Sequence, residues 1–373
     1  MRKITFFIAL IFFVASLCTK LQAQSIVPHS IPAAPNDEPT SLVKWLTLDE
    51  AVKLNKTQPK PFLIDFYTDW CGWCKHMMRT TYSTQGLADY INTYFYPVKV
   101  DAETHDTIHF MDTIFTNPNP AKRSTNSFAV KMLNGQLSYP STVFMSSDFK
   151  FQFNTAGYLE VQSIEPMLIF MVEGVFKATN YNDFSQSFKH AFYDSVWTKR
   201  SAEIKATSFE TITASPLNKR KTIALIGADW AVSGKVLLND LSKDSLLYRM
   251  VNKEFNFVYM DLFDTRPVMF KGKVFDTLLI GTSRVNELAM SFAKNQQLMI
   301  PSMVILDEDL NPIDLIPQYH EPEMIAAILT FYASNSFKSM PWQNFYTSYS
   351  EERSKKRLSE ANNTRKSSVR SQK

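Results

Sequence analysis

The sequence predicts an α/β protein of two tandem domains, each a central mixed sheet flanked by helices, with the second domain free of cysteine. Three observations lead there. The chain has 373 residues, enough for two ordinary domains. Residues recur at a constant shift of 160: Asp69-Trp70 as Asp229-Trp230, Lys75 as Lys235, Asn92 as Asn252, Phe95 as Phe255 and Asp101 as Asp261. The shift holds at Phe110/Phe270, Phe115/Phe275, Asn126/Asn286 and Ala129/Ala289, and one inserted residue later Pro140-Ser141 matches Pro301-Ser302. Chance identities do not keep one register over such a length, so the chain is a duplication. Within each copy, strand-like and helix-like apolar runs alternate, the pattern of a sheet covered by helices on both faces.

Each copy reads as strand, helix, strand, hairpin, helix and a strand introduced by proline. In the first copy Phe62–Tyr67 is a β-rich buried strand, followed by a helix that starts at Cys71. Ser83 is the expected N-cap of a second helical stretch carrying Leu87, Tyr90, Ile91 and Tyr94 on one face. Tyr96–Val100 is the next strand, Ile108–Phe115 a hairpin, and Asn117-Pro118-Asn119-Pro120 a rigid turn-rich loop found only in this copy. Thr142–Met145 is a further strand, and Pro166–Phe176 has the spacing of a closing helix. Between the copies, Tyr181–Trp197 carries Phe184, Phe188 and Phe192 at helical spacing and reads as a connector.

Composition and charge narrow the class. An apolar share of 45%, with 29 Phe and 15 Tyr, supports real cores and excludes a disordered chain. The formal charge of +4 comes from Glu351–Lys373, where eight Lys/Arg face three Glu. The globular part is near neutral, so no nucleic-acid groove is expected, and the tail reads as solvated rather than as a membrane contact. Arg2-Lys3, the apolar run Ile4–Leu17 and Leu21-Gln22-Ala23 read as a cleaved secretory signal for a periplasmic or secreted protein. That run falls short of the about 20 residues of a membrane span, which leaves an uncleaved anchor as the lesser reading. Cys18 as a lipidation site is disfavoured by the bulk of Leu17. The expected organisation is a signal peptide at 1–23, a flexible leader at 24–41, a first domain at 42–179, a helical connector at 180–207, a second domain at 208–345 and a basic disordered tail at 346–373.

After such a cleavage only Cys71 and Cys74 remain, in Trp70-Cys71-Gly72-Trp73-Cys74-Lys75. Two cysteines two residues apart, at a joint between strand and helix, form a dithiol that closes and reopens by thiol–disulfide exchange. A zinc site needs about four ligands. No second pair exists, and His76, His105 and His109 read as solvated or structural. A haem attachment requires histidine where Lys75 stands. The redox pair itself is the only cofactor expected, with no metal.

The run Asp65-Phe66-Tyr67-Thr68-Asp69-Trp70-Cys71-Gly72-Trp73-Cys74-Lys75 resembles the thioredoxin superfamily, and among its members exported thioredoxin-like proteins and the C-terminal domains of thiol:disulfide interchange proteins. The resemblance covers about 44–176, and more weakly 222–332. It implies two thioredoxin-like domains, the first redox-active and the second degenerate. It implies that Cys71 is the exposed nucleophile at a helix N-terminus and Cys74 the resolving thiol one turn deeper. Asp65, six residues before Cys71, stands where the family keeps a buried carboxylate of raised pKa that takes the proton from Cys74. Tyr139-Pro140 matches the cis-proline loop, whose backbone pairs with an extended client. Two departures are plain: Gly-Trp replaces Gly-Pro between the cysteines, and the acid's partner lysine aligns with Pro97, with Lys99 two residues on.

In the second copy Ala231-Val232-Ser233-Gly234 replaces the motif and Leu225 replaces Asp65, while Trp230, Asp261 and Pro301 remain. A buried acid without a task costs stability, so leucine suits a retired site. Trp70 is expected to pack against the strand and also to touch substrate. Trp73 shapes the substrate surface or forms a lid over Cys74. The expected function is a protein disulfide oxidoreductase on exported clients with cysteines or disulfides, supplied by an upstream dithiol donor, with reduction favoured over oxidation. The alternative is a binding or scaffold protein that uses the cysteine-free domain. A mere stability clip is the third.

Overall fold

The computed structural model describes residues 41–119, 123–198, 203–215, 219–294 and 297–370. The signal peptide, Cys18 and all of the leader but residue 41 lie outside them, as do Pro120 and the last three residues. The described chain forms two units, which divide between Ser185 and Gln186.

In the first unit, α1 (Leu48–Asn55) opens on a capping box in which Thr47 and Glu50 satisfy each other's backbone N–H. Then come β1 (Phe62–Tyr67), α2 (Gly72–Arg79), a 3₁₀ turn at Thr81–Ser83, α3 (Gln85–Tyr94) and β2 (Tyr96–Asp101). The hairpin β3 (Ile108–Phe110) and β4 (Thr113–Phe115), α4 (Ser127–Met132), β5 (Ser141–Met145), β6 (Gln152–Ala156) and α5 (Val161–Val172) complete it. The sheet order is β2-β1-β5-β6, with β1 parallel to β2 and the other pairs antiparallel.

Alternation along β1 decides what each face holds. Phe62, Ile64 and Phe66 pack with Leu48, Ala51, Val98, Phe128 and Val143 in one core cluster. Each of these buried side chains other than Ala51 contributes about 1.5–3 kcal/mol. Asp65 turns to the opposite face, toward Tyr82.

Two boundaries differ from expectation. The N-cap of α3 is Thr84, because Ser83 is drawn into the 3₁₀ turn and its hydroxyl donates to the Met78 carbonyl at 2.7 Å. The closing helix starts at Val161 rather than Pro166 and ends at Val172, before Gly174 at φ +67°. Pro166 sits within it, where the buried face formed by Ile164, Met167, Leu168 and Met171 outweighs one missing backbone donor.

The connector breaks into α6 (Tyr181–Phe192) and α7 (Ser195–Thr198), with Phe184 and Phe188 buried and Phe192 exposed. The second unit continues with α8 (Phe209–Ala214), β7 (Lys221–Gly227), α9 (Val232–Lys243), α10 (Ser245–Glu254) and β8 (Phe255–Asp261). Two hairpins follow, β9 (Val268–Phe270) with β10 (Lys273–Phe275) and β11 (Thr277–Ile280) with β12 (Ser283–Asn286). Then come α11 (Glu287–Ser291), β13 (Ser302–Leu306), β14 (Pro312–Pro317), α12 (Pro322–Ala333) and α13 (Trp342–Arg370). Its sheet order, β8-β7-β13-β14, repeats the first unit's order and strand senses.

The β11–β12 hairpin was not expected. At the 160-residue shift it corresponds to 117–126 of the first unit, whose described residues, 117–119 and 123–126, form no strand. The segment expected as a disordered tail from 346 is helical to Arg370. Its first turns are anchored on α12: the Trp342 and Phe345 rings lie 5.3 and 5.0 Å from Phe331, and Arg357 pairs with Glu323 at 2.6 Å. Among the described residues no helix is long and apolar enough to cross a membrane.

Candidate active site

Cys71 is the N-cap of α2, and its sulfur accepts the N–H of Cys74 at 3.0 Å. The Cys71 N–H is itself fixed by the Thr68 carbonyl at 3.1 Å, in the short link from β1. The two cysteines form a disulfide with S–S 2.02 Å and Cα–Cα 5.3 Å. A sulfur at this position meets the free N–H groups and partial positive charge of a helix start, which favour a thiolate when the ring opens.

Cys71 was expected to be exposed, yet it is only 4% exposed, against 3% for Cys74. In the closed ring each sulfur covers the other, and the cap turns the Cys71 sulfur inward. Gly72, between the two cysteines, borders open space, where a Cβ would meet no atom within 4 Å. Trp70 and Trp73, on either side, are 54% and 62% exposed. Both indoles therefore face solvent rather than a core.

Asp65 is fully buried on β1, and the Tyr82 hydroxyl donates to its Oδ1 at 3.3 Å. Its Oδ2 has no hydrogen-bond partner among the described residues. Burial raises the carboxyl to about 7, against the pull of the Lys99 charge and the Tyr82 bond. The register bears on whether Lys99 takes the place of the partner lysine that aligns with Pro97. Pro97 lies opposite Leu63, while Lys99 lies opposite Asp65, with its ammonium 4.3 Å above the Tyr67 ring.

The Tyr139-Pro140 bond is cis, and the Pro140 carbonyl accepts the Gly157 N–H at 2.8 Å. The Tyr139 ring meets Trp70 edge-on at 6.2 Å. Trp70 donates its indole N–H to Glu103 at 3.1 Å. Asp101 beside them is held above the ordinary carboxylate range by burial and by the charges of Asp69 and Glu103. Cys71, Cys74, Trp70 and Tyr139 are thus gathered at one end of the sheet.

Tyr82, Lys99, Glu103, His76 and Tyr158 complete the surroundings and were not singled out as site residues from the sequence. Lys99 was legible in principle, because strand pairing at Phe62/Tyr96 carries Asp65 to it; the others required the fold. Among the described residues no group of three or more His, Cys, Asp or Glu is placed to hold a metal.

The corresponding place in the second unit has no sulfur. Ala231 caps α9 without a side-chain bond, and a Cβ on Gly234 would lie 3.6 Å from Pro301. Leu225, fully buried, pairs with Tyr259 and Met303, as Asp65 pairs with Lys99 and Thr142.

Residues 34–191 match the model of the Thioredox_DsbH family, described as "Protein of unknown function, DUF255". Solved structures similar to this chain include a thioredoxin-fold protein from Helicobacter pylori, 16% identical, covering 44% of this chain and 91% of that one at a TM-score of 0.28. Another is a DsbH oxidoreductase, 19% identical, with coverages of 35% and 83% and a TM-score of 0.22. A disulphide isomerase from Xylella fastidiosa is 19% identical, with coverages of 37% and 86% and a TM-score of 0.22. No curated protein matches. With a mixed four-stranded sheet, a Cys-Gly-Trp-Cys pair capping the helix after β1 and the family match across this segment, the unit that holds Cys71 and Cys74 belongs to the thioredoxin superfamily.

Proposed function

We propose that this protein is a thiol–disulfide oxidoreductase that reduces disulfides in exported client proteins. The observation that carries the reading is the Cys71–Cys74 disulfide at the start of α2, in one unit with a buried carboxyl poised near neutrality. In the reduced protein the Cys71 thiolate attacks one sulfur of a client disulfide. A mixed disulfide forms and the client's other sulfur leaves as a thiolate. Cys74 then yields its proton to the Asp65 carboxylate and attacks the Cys71 sulfur, which releases the second client thiolate and closes the ring. Both electrons pass to the client, and a dithiol donor must return two to the ring. Trp70, Trp73 and the Tyr139-Pro140 backbone would contact the client. The direction rests on a carboxyl suited to deprotonating Cys74, and the exported setting on the charged and apolar N-terminal segment.

Trapping tests the reading. A Cys74→Ser variant, reduced and mixed with exported proteins, should accumulate covalent adducts through Cys71 that dithiothreitol releases and that Cys71→Ser/Cys74→Ser lacks. Absence of adducts refutes it.

A second reading is favoured by the second unit, which we take as a thioredoxin-like domain in tandem with the first. It shares the sheet order and the 160-residue register, has lost the sulfurs, and keeps Trp230 48% exposed. Such a face would hold a partner without chemistry.

A further inference from the structure

Trp73 does not stand alone on the rim of the disulfide. Its ring meets His76 edge-on at 5.6 Å and Tyr158 at 5.6 Å, and His76 and Tyr158 are 5.1 Å apart. The three rings form one wall. Tyr158 is fixed from two sides: its hydroxyl is bonded to Thr80 Oγ1 at 3.1 Å, and the preceding Gly157 is bonded to Pro140. Thr80 in turn donates to the His76 carbonyl at 2.8 Å. An exposed indole is thereby held beside Gly72, which borders open space next to Cys71.

The second unit supplies a control. At the same shift Trp73 becomes Ser233 and His76 becomes Val236, while Tyr158 persists as Tyr319 one residue further on. Tyr319 has no such wall to complete and donates instead to Asp240, the counterpart of Thr80, at 2.8 Å. The aromatic wall went with the sulfurs, as expected of a part of the reactive site rather than of the fold.

Geometry says what the wall meets. A client sulfur bonded to Cys71 brings its own chain past Gly72, and an extended chain advances about 3.3–3.6 Å per residue. Side chains one or two residues from the reacting cysteine therefore come alongside Trp73.

Resting on the oxidoreductase reading above, we propose that Trp73 is a preset recognition shelf for client segments with an aromatic side chain one or two residues from the reacting cysteine. His76 and Tyr158 are positioning residues that act through Trp73.

The test uses the full chain and two peptides that differ only in Phe or Gly beside the cysteine. Binding is read with cysteine-to-serine peptides on the disulfide form, and turnover with the disulfide-bonded peptides on the reduced form. The Phe peptide should bind about 3- to 10-fold more tightly, the scale of one aromatic pair. Trp73→Ala and Tyr158→Ala should bring that ratio near one, Tyr158→Phe should preserve it, and the loss in turnover should fall in KM rather than kcat. A ratio near one in the unaltered protein, or one that survives Trp73→Ala, overturns the proposal. If Tyr158→Ala fails to fold, Trp73→Ala at its exposed position decides. A binding preference without reduction of either peptide upholds the shelf and refutes the oxidoreductase reading; reduction of both peptides without preference does the reverse.

Discussion

Replacing Asp65 with asparagine should stabilise the first unit, and by more at alkaline than at acid pH. The carboxyl is raised from its ordinary 3.8 to about 7 by burial. Its sign follows from which state holds the proton. Below about pH 4 both folded and unfolded forms are protonated and nothing is lost. Between about 4 and 7 the unfolded chain releases its proton while the folded one keeps it, so stability declines as pH rises and levels off above 7. A shift of this size corresponds to about 4 kcal/mol at full extent, at about 1.36 kcal/mol per unit. At pH 5 less than half of it has been felt, so the gain from Asp65→Asn should grow by about 2–3 kcal/mol between pH 5 and pH 8. The amide keeps the shape of the carboxyl and can still accept from Tyr82. Urea unfolding of the oxidised full chain, followed by hydrogen-exchange mass spectrometry on peptides covering β1, isolates this unit from the other. The same variant should lose an inflection near pH 7 in the rate at which Cys74 resolves a preformed mixed disulfide. An equal stability difference at pH 5 and pH 8 would show that Asp65 ionises as an ordinary carboxylate, and its role as proton acceptor would fall with it.

Two further expectations follow. Tyr319→Phe removes the hydroxyl that donates to buried Asp240, a group itself raised to about 7 by burial, and should cost the second unit about 1–2 kcal/mol at pH 8 and less at pH 5, read by urea unfolding. Trp230→Ala, on the exposed face of that unit, should lower several-fold the yield of protein adducts with Cys74→Ser and leave reduction of a small-molecule disulfide unchanged; an undiminished yield removes the partner-holding reading.

Local pattern carried much of the fold. Phe62–Tyr67 reads as a strand because its residues are β-rich and almost continuously apolar, and the hairpin at Ile108–Phe115 showed in its alternation. The helix start at the cysteine pair was equally plain. Other features depended on contacts far along the chain. The capping box of α1 was present as Thr47-Leu48-Asp49-Glu50, but charged residues dilute the apolar period behind it. The persistence of α13 past residue 346 depends on Trp342 and Phe345 finding Phe331, which no local pattern shows. At the candidate site, residue types singled out Cys71, Cys74 and Asp65, and the fold places all three in one unit. The burial of Cys71, the facing of Lys99 to Asp65 and the ring wall around Trp73 depend on closure of the disulfide, strand register and a loop more than eighty residues away.

The scarcity of thiols has a consequence of its own. Beyond Cys18 the chain owns two cysteines, and their sulfurs are bonded to each other. Once Cys18 departs with the expected signal segment, no third thiol remains with which to shuffle, so on the proposed mechanism a stalled client is discharged internally only by Cys74. On the oxidoreductase reading, the lifetime of an intermediate is set by one side chain and the proton it must lose, which makes acidity a direct throttle on turnover.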